Sequence, residues 1–188
     1  LHGVSGSGKT TLLNIMSGLL KPTSGTVFVE GSDIYSLSTS ERDDIRLNRI
    51  GMIFQEHSLI VDFTVRENVE LILRVRGFGS RSRVMAIEAL ERVGIAHLQD
   101  RYPRQLSGGE AQRVGIARAI AGDRPILLAD EPTGQLDRRN SQMVFELLRA
   151  LAEDEKGRTV VLSSHDPTAK EYAHRSCELV DGHLEDSC

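Results

Sequence analysis

Residues 3–10 form a glycine-rich segment whose residue types and spacing suit the binding of phosphate. The segment matches the pattern GxxxxGK[ST], in which glycines let the backbone curl until several N–H groups point at one phosphate. Lys9 can reach the β- and γ-phosphates of a nucleotide, and the Thr10 hydroxyl can bind Mg²⁺. A chance glycine-rich turn is the alternative, which the helix predicted at 11–20 disfavours because the motif opens a helix. The predicted nucleotide-binding residues here are Gly3, Val4, Ser5, Gly6, Ser7, Gly8, Lys9, Thr10 and Thr11.

An acidic pair, Asp130 and Glu131, follows the apolar strand predicted at 125–129. A carboxylate at the C-terminal end of a parallel strand lies where α/β sheets bind their ligands. Beside a phosphate loop, Asp130 suits the Mg²⁺ shell and Glu131 can polarise the attacking water. The alternative is a solvated pair that opens a turn at Pro132, and the phosphate loop disfavours it because phosphoryl transfer needs both groups.

Two more polar residues follow predicted strands. Gln55 comes after the strand at 50–54, and His165 follows the strand at 159–163. An amide at that edge can contact Mg²⁺ or the attacking water, and a neutral imidazole can hydrogen-bond a γ-phosphate oxygen. A polar residue after a strand is common and a lone histidine is more often structural. Their shared position at the ligand-binding edge of the sheet favours a role in the site.

A second helix start suits an anion as well. Ser107, Gly108 and Gly109 place a capping hydroxyl and exposed backbone N–H groups at the positive end of a helix predicted to run to about residue 121. The two phosphate-binding helix starts need not address the same phosphate within one subunit. The economical arrangement is a head-to-tail pair of subunits, in which Ser107 of one completes the site of the other.

The composition indicates one domain of ordinary size, with 188 residues, 39% of them hydrophobic, and a net charge of −4. A nucleic-acid-binding domain would usually be basic, so no nucleic acid is expected as a partner. No apolar run is long enough to predict a membrane-spanning helix. Two cysteines, Cys177 and Cys188, suggest a reduced, cytosolic compartment, and a disulfide between them is the less favoured alternative.

Apolar strands alternate with helices along the chain, which predicts an α/β fold with a mainly parallel sheet and helices on both faces. A short strand is predicted at 26–30, where Val27 and Val29 alternate, and Thr64 with Glu67 three residues on predicts a helix that begins with a capping box. No strand is predicted at 65–122. We therefore expect an α/β nucleotide-binding core at 1–55 and 123–188, with an inserted helical subdomain at 56–122. A terminal hairpin is predicted to turn at Asp181 and Gly182.

The phosphate loop begins two residues into the sequence, at Gly3. Such a loop normally follows a buried strand, so the N-terminal strands of the sheet are expected to be missing. A sheet without a central strand leaves backbone groups unpaired and apolar faces open. From this we expect these residues alone to fold poorly and to bind ATP weakly.

Together these motifs resemble those of ATP-binding cassette (ABC) transporter ATPases, which are P-loop NTPases. The ordered set is very specific and covers nearly the whole chain. The stretch 130–137, DEPTGQLD, and the segments 51–55 and 67–71 resemble the subfamily that powers lipoprotein release, macrolide export and the cell-division permease complex. The six motifs are the loop at 3–10, Gln55, the signature LSGGEAQR at 106–113, LLADEPT at 127–133, GQLD at 134–137, and His165.

The resemblance implies a role for each position. Lys9 would bind phosphate, Glu131 would be the general base and His165 would sense the γ-phosphate. Ser107, Gly108 and Gly109 would clamp the nucleotide of a second subunit, with Asp137 at the dimer interface. The subunit would be cytoplasmic and peripheral on the inner face of the cell membrane, docked on a permease through a groove near Glu56–Phe63. The implied metal ligands are Thr10, Gln55 and Asp130.

The sequence departs from the family in two places that matter and leaves rival functions open. No aromatic residue precedes the phosphate loop to stack on adenine, and most of the first strands are lacking. Gln135 in place of the usual Asn is a milder change. ABC proteins of DNA repair insert long coiled coils between the Gln loop and the signature, whereas residues 56–106 have no sustained heptads. Translation-type members carry two such domains in one chain. A subunit that binds ATP and signals through a permease with little turnover stays an alternative, and the cargo is not encoded in this chain.

Overall fold

The computed structural model describes residues 1–187, so Cys188 and its pairing with Cys177 lie outside the described residues. The helices are α1 (Lys9–Met16), α2 (Thr39–Arg49), α3 (Val65–Val75), α4 (Ser82–Arg92), α5 (Gly108–Ile120) and α6 (Arg138–Ala152). The strands are β1 (Phe28–Val29), β2 (Ser32–Asp33), β3 (Ile50–Ile53), β4 (Ile126–Asp130), β5 (Thr159–Ser163), β6 (Ser176–Val180) and β7 (His183–Ser187). Short 3₁₀ turns occupy Gly79–Arg81, Ala96–Leu98, Pro103–Gln105 and Pro167–Tyr172.

The central sheet is parallel, in the order β3-β4-β5. On the other side of β5, the Leu1 carbonyl accepts from the Ser164 N–H at 3.0 Å, and the His2 N–H donates to the Cys177 carbonyl at 2.8 Å. The entry to the phosphate loop therefore lies between β5 and β6. Since the C-terminal ends of parallel strands meet at one edge, this register brings the loop, Asp130 and the residues after β5 together.

Helices cover both faces of the sheet, as the alternation of strands and helices predicts. Side chains along a strand point to opposite faces in turn. Leu127 and Ala129 of β4 pack in a cluster with helices α3 to α6. Leu128, between them, packs with Ile50 and with Leu13 of α1 on the opposite face. The mixed α/β fold with a parallel sheet is thus confirmed.

The segment between β3 and β4 is helical where it has regular structure. Helix α3 begins with the predicted capping box, in which the Glu67 N–H donates to Thr64 Oγ1 at 3.2 Å and the Thr64 N–H donates to Glu67 Oε2 at 2.8 Å. Helices α3, α4 and α5 share a hydrophobic cluster with Ile53 and Leu127 of the sheet. Because the helical segment and the sheet share a core, the predicted division into subdomains stays a prediction.

Several element ends differ from the sequence prediction for local reasons. The helix predicted at 11–20 begins at Lys9, directly after Gly8, and ends at Met16 because Gly18 takes a positive φ of 77°. The predicted strand at 26–30 contains only Phe28–Val29 as strand residues. The terminal hairpin is as predicted, since Asp181 and Gly182 have φ of 49° and 80°, the pair of positive values that a tight hairpin turn needs.

A cavity of about 620 Å³ lies beside β5 and is lined mainly by apolar residues such as Val160, Leu162 and Phe145. None of the predicted site residues lines this cavity. Its walls come from the strands and from helices α1 and α6, away from the loops that follow β4. This cavity therefore does not mark the chemistry that the motifs predict.

Gly51 of β3 generates a stability prediction. A Cβ atom there would lie 2.8 Å from Leu127 Cδ2 and would collide with the Ala119 carbonyl. We expect Gly51→Ala to lower the free energy of unfolding by about 1–3 kcal/mol, because neither neighbour can move without repacking α5 on the sheet. Urea unfolding followed by circular dichroism measures the change.

The matched control is Gly115→Ala in α5. The nearest atom to its added Cβ is the His57 carbonyl oxygen at 3.8 Å, an ordinary contact. Alanine is the better helix former, so this variant should gain up to about 1 kcal/mol. Equal stabilities for the two variants would contradict the close packing of α5 on β3.

Candidate functional site

Lys9 lies at the centre of the candidate site, with its side chain only 6% exposed. Its ammonium donates to the carbonyl oxygens of Gly3 and Val4 at 2.8 and 3.0 Å, and it lies 3.3 Å from Glu131 Oε1. Left-handed φ values at Gly6 and Gly8, 83° and 103°, let the loop wrap around the ammonium. The loop, its lysine and the acidic strand end therefore form one site.

Glu131 takes a backbone conformation that is unusual for a residue other than glycine, with φ of 45°. Its N–H donates to Ser163, reaching both the carbonyl oxygen and Oγ at 3.1 Å. The carboxylate Oε2 lies 2.8 Å from Nδ1 of His165. Such local strain persists where the surroundings impose it, and here it turns the carboxylate toward Lys9 and His165.

Ser163 is a site residue that the sequence interpretation missed. Its hydroxyl donates to Asp130 Oδ1 at 2.7 Å and accepts from the Glu131 N–H, and the residue is fully buried. One side chain on β5 therefore orients both members of the acidic pair on β4. A buried small polar residue at the end of an otherwise apolar strand, before His165, is the signal that could have identified it.

Gln55 approaches the acidic pair from β3. Its side chain lies against Gly134, where an added Cβ would be 2.8 Å from Gln55 Nε2. The Gly134 N–H in turn donates to the Glu131 carbonyl at 3.0 Å. Thr10 and Thr11 lie exposed on the first turn of α1. The structure thus assembles Gln55, the acidic pair, His165 and the loop at one edge, as their strand-end positions suggest.

The start of helix α5, at Ser107, forms its own set of contacts. The Ser107 N–H donates to Glu110 Oε2 at 2.7 Å and its hydroxyl donates to the same oxygen at 2.8 Å, which lowers the pKa of the Glu110 carboxyl. Gly109 packs against Asn140, whose Oδ1 would lie 2.6 Å from an added Cβ. Asp137 caps α6 by accepting from the Asn140 N–H at 2.9 Å, which lowers the pKa of Asp137.

Gly109 therefore contacts the start of α6, and Ser107 bonds to Glu110 of its own helix. Gly108 also lies near Leu136, 3.4 Å from an added Cβ. Among residues 1–187, no recorded hydrogen bond joins this helix start to the loop at 3–10. One chain thus carries two candidate anion sites that its own contacts do not bring together.

Helix α5 also contacts the segment after Gln55. His57 Nδ1 lies 2.6 Å from Oε1 of the buried Gln112, whose amide donates to the Phe54 carbonyl at 3.4 Å. Arg118 donates to the carbonyls of Ser58 and His57 at 2.6 and 3.0 Å. The sequence interpretation did not identify these contacts, because the partners lie 55 to 61 positions apart in the chain and no local motif relates them.

Beside this segment is a second cavity of about 550 Å³, which we call the β3 groove. Its floor includes Ile50 and Met52 of β3, and its walls include residues of α2, Ile72 of α3 and Arg118 of α5. The groove opens next to Ser58, within the segment 56–63 that the sequence predicts to face a partner.

A comparison with protein families identifies the family to which this chain belongs. The family model described as "ABC transporter" matches residues 1–134. The chain belongs to the ABC transporter family. This cassette is an ATP-binding subunit with ATPase activity, and it falls in the subfamily of the lipoprotein-releasing subunits.

Individual relatives agree with that assignment. The cassette is 45% identical over 183 residues to the lipoprotein-releasing system ATP-binding protein LolD of Blochmanniella floridana, covering 97% of this chain and 77% of that protein. It is 44% identical over 193 residues to the uncharacterized ABC transporter ATP-binding protein MJ0796 of Methanocaldococcus jannaschii, covering 98% and 80%. A dimeric structure of the MJ0796 cassette bound to ADP and Pi superposes with a TM-score of 0.87 at 40% identity, covering 98% of this chain and 83% of that one.

The geometry of Ser163 generates a prediction about turnover. We expect Ser163→Ala to lower kcat for ATP between about 10-fold and 100-fold, because it leaves Asp130 and Glu131 without their shared hydrogen-bond partner and lets them shift. ATP affinity, which depends on the loop, should change little. Steady-state ATPase assays and nucleotide titration separate the two quantities.

Ser141→Ala is the matched control, since Ser141 is a buried serine of α6 outside the site. Equal loss of kcat in both variants would mean that the Ser163 effect reflects general destabilisation. Unchanged kcat in Ser163→Ala would contradict its positioning role.

Proposed function

We propose that this cassette hydrolyses MgATP at two composite sites of a homodimer and thereby powers a separate membrane permease. The observation that carries the proposal is the separation of the two anion-binding helix starts. Lys9 lies beside Glu131 at 3.3 Å, whereas Ser107 bonds to Glu110 of its own helix and Gly109 packs against Asn140 of α6. A head-to-tail pair of subunits would bring one start of each kind to every nucleotide.

The phosphates of ATP would bind in the loop. The backbone N–H groups of residues 3–10 and the positive end of α1 attract an anion, and Lys9 supplies a buried cation. When phosphate binds, the ammonium can leave the carbonyls of Gly3 and Val4 for phosphate oxygens. Lys9 then also weakens its ion pair with Glu131, whose carboxylate becomes available to water.

The residues at the strand ends fit a Mg²⁺ ion. Magnesium prefers oxygen ligands and usually needs only one or two carboxylates beside phosphates and water. Ser163 orients Asp130 through Oδ1, while the Thr10 hydroxyl and the Gln55 amide oxygen are further ligands of the right kind. When bound, the ion would neutralise charge that develops on the phosphates.

Glu131 would act as the general base. Its carboxylate lies between Lys9 and His165, at 3.3 and 2.8 Å, and can accept a proton from water placed in line with the γ-phosphate. His165, which is exposed beside it, would donate a hydrogen bond to a γ-phosphate oxygen. The backbone of Glu131 is held by Ser163, so the base stays in place during turnover.

The second subunit would close the site. Ser107, Gly108 and Gly109 present N–H groups that would bind the γ-phosphate held by the partner, with Asp137 close to the interface. The relative MJ0796 is described as dimeric with ADP and Pi, which supports the same assembly here.

The permease would dock on the β3 groove near Glu56–Phe63. In this proposal residues 56–122 act as a helical subdomain that moves against the core at 1–55 and 123–188. Among the described residues, none of the helices has the length and hydrophobicity of a membrane span. Relatives are subunits of lipoprotein-releasing systems by name, and we propose an export or lipoprotein-release role at the inner face of the cell membrane.

Trapping the closed dimer tests the proposal. We expect Glu131→Gln to form an ATP-dependent dimer, because an amide cannot accept the proton from water and ATP stays bound. Gel filtration with light scattering, with and without MgATP, measures the change in mass. Lys9→Ala should stay monomeric in both conditions, and wild-type turnover by Glu131→Gln would show that the base is misassigned.

Mixing two inactive variants tests the composite sites. Lys9→Ala and Ser107→Arg should each be inactive alone, whereas their heterodimer contains one site with both residues intact. Each heterodimer should then recover up to about half of the wild-type ATPase rate, because one of its two sites is intact. No activity in a mixture with proven heterodimers would contradict completion of the site in trans.

A further inference from the structure

Asn140, in the first turn of α6, contacts two segments that carry separate motifs in the sequence. Its Oδ1 atom would lie 2.6 Å from a Cβ added at Gly109, and its Cγ atom 2.9 Å from it. Its Nδ2 group donates to Asp137 Oδ2 at 2.7 Å, and its backbone N–H donates to Asp137 Oδ1 at 2.9 Å. One half-buried side chain therefore joins the start of α5 to Asp137.

The orientation of the Asn140 amide is set by Asp137. An asparagine amide has a donor end and an acceptor end, and the donor end is bonded to the Asp137 carboxylate. The acceptor oxygen therefore faces Gly109, which is buried although Gly108 before it is exposed. The backbone and side-chain hydrogen bonds from Asn140 lower the pKa of Asp137, so this carboxylate stays charged and bound at neutral pH.

Capping of α6 does not account for these contacts. The cap needs only the backbone N–H of residue 140, which every residue except proline supplies. The Nδ2 donor and the contact with Gly109 come from the side chain alone. The Asn140 side chain therefore has a role besides that of beginning the helix.

The segment that leads from β4 to α6 gives this contact a fixed base. The Gly134 N–H donates to the Glu131 carbonyl at 3.0 Å, and the Leu136 N–H donates to the Thr133 carbonyl at 3.0 Å. A Cβ added at Gly108 would lie 3.4 Å from Leu136 Cδ2. The start of α5 therefore rests on a segment that is hydrogen-bonded back to the end of the central strand.

We propose that Asn140 is a positioning residue, which holds Gly109 in place for the nucleotide of the partner subunit by bracing it on Asp137. The inference rests on the proposed composite sites and names a residue that prepares them. Backbone N–H groups at a helix start bind an anion only where they point at it. Asn140 acts through Gly109, so its loss should slow turnover and leave nucleotide binding in the phosphate loop unchanged.

The experiment places Asn140→Leu in one chosen subunit of the heterodimer described above. The Lys9→Ala subunit supplies the start of α5 to the intact site, and the Ser107→Arg subunit supplies the loop and the base. In the Lys9→Ala subunit, Asn140→Leu should lower kcat about tenfold or more, because small displacements of a positioned group are costly. In the Ser107→Arg subunit, whose own helix start is already blocked, it should change kcat by less than about twofold.

Asn140→Asp tests the hydrogen bond separately from the packing. This variant keeps the size of the side chain and the cap, but it lacks the Nδ2 donor and adds a second carboxylate beside Asp137. As a homodimer it should lose kcat about tenfold with unchanged ATP affinity, because the brace on Asp137 is lost. Wild-type kcat in Asn140→Asp would overturn the inference, since filling the space beside Gly109 would then suffice.

Gln142→Leu is the matched control, because it removes a half-buried amide of the same helix that takes part in neither contact. It should hydrolyse ATP as the wild type does. Circular dichroism melting checks the fold of each variant. If Asn140→Leu does not fold, Asn140→Asp takes its place in both positions of the heterodimer.

The outcomes separate the inference from the function on which it rests. If proven heterodimers of Lys9→Ala and Ser107→Arg are inactive, the composite sites fail and the inference fails with them. If they are active but Asn140→Leu costs the same in either subunit, only the inference is overturned. A loss of ATP affinity or melting temperature in step with kcat would also overturn it, in favour of general support of α6.

Discussion

The hydrogen bonds of Ser163 are the constraint on which the site depends. This buried hydroxyl holds Asp130 and the backbone of Glu131 at once, so the ends of β4 and β5 keep a fixed register. That register exists because the strands are parallel and paired along their length, with Asp130 opposite Ser163. The proposed metal ligand Asp130 and the proposed general base Glu131 are therefore positioned by the sheet rather than by a mobile loop.

The same hydrogen bonds explain why Glu131 can adopt a strained backbone conformation. A positive φ costs a residue with a Cβ on the order of 1 kcal/mol, yet here the N–H and carbonyl of Glu131 are both bonded, to Ser163 and Gly134. The strain turns the carboxylate away from the direction that a continuing strand would give it. It reaches Lys9 and His165 instead, so a cation and an imidazole both hold this carboxylate.

The sequence predicted the parts of the site that depend on local rules. The phosphate loop, the strand ends that carry Gln55, Asp130 and His165, and the cap at Ser107 follow from glycine spacing, apolar runs and helix-start preferences. Helix α3 was predicted to its first residue because Thr64 and Glu67 form a capping box between neighbours in the chain.

What the sequence could not predict depends on contacts between distant residues. Ser163 and Asp130 are 33 positions apart, and His57 and Gln112 are 55 apart, so no local pattern relates them. The strand at 26–30 was overestimated because alternation of Val27 and Val29 does not reveal how few residues find a partner. Arg124 resembles any loop arginine in sequence, and only the fold buries it against the end of α5.

Helix α5 connects the three functions that the chain separates in space. It has 13 residues, which is about 20 Å of rigid helix. Its first turn carries the glycines proposed to bind the partner's nucleotide, Gln112 holds the segment around Gln55, and its last turn contributes Arg118 to the β3 groove. A helix of this length cannot bend locally without losing backbone hydrogen bonds. A displacement imposed at the groove would therefore be transmitted along α5 to Ser107 and to the backbone after Gln55, which would let a partner at one surface reach both halves of the proposed composite site.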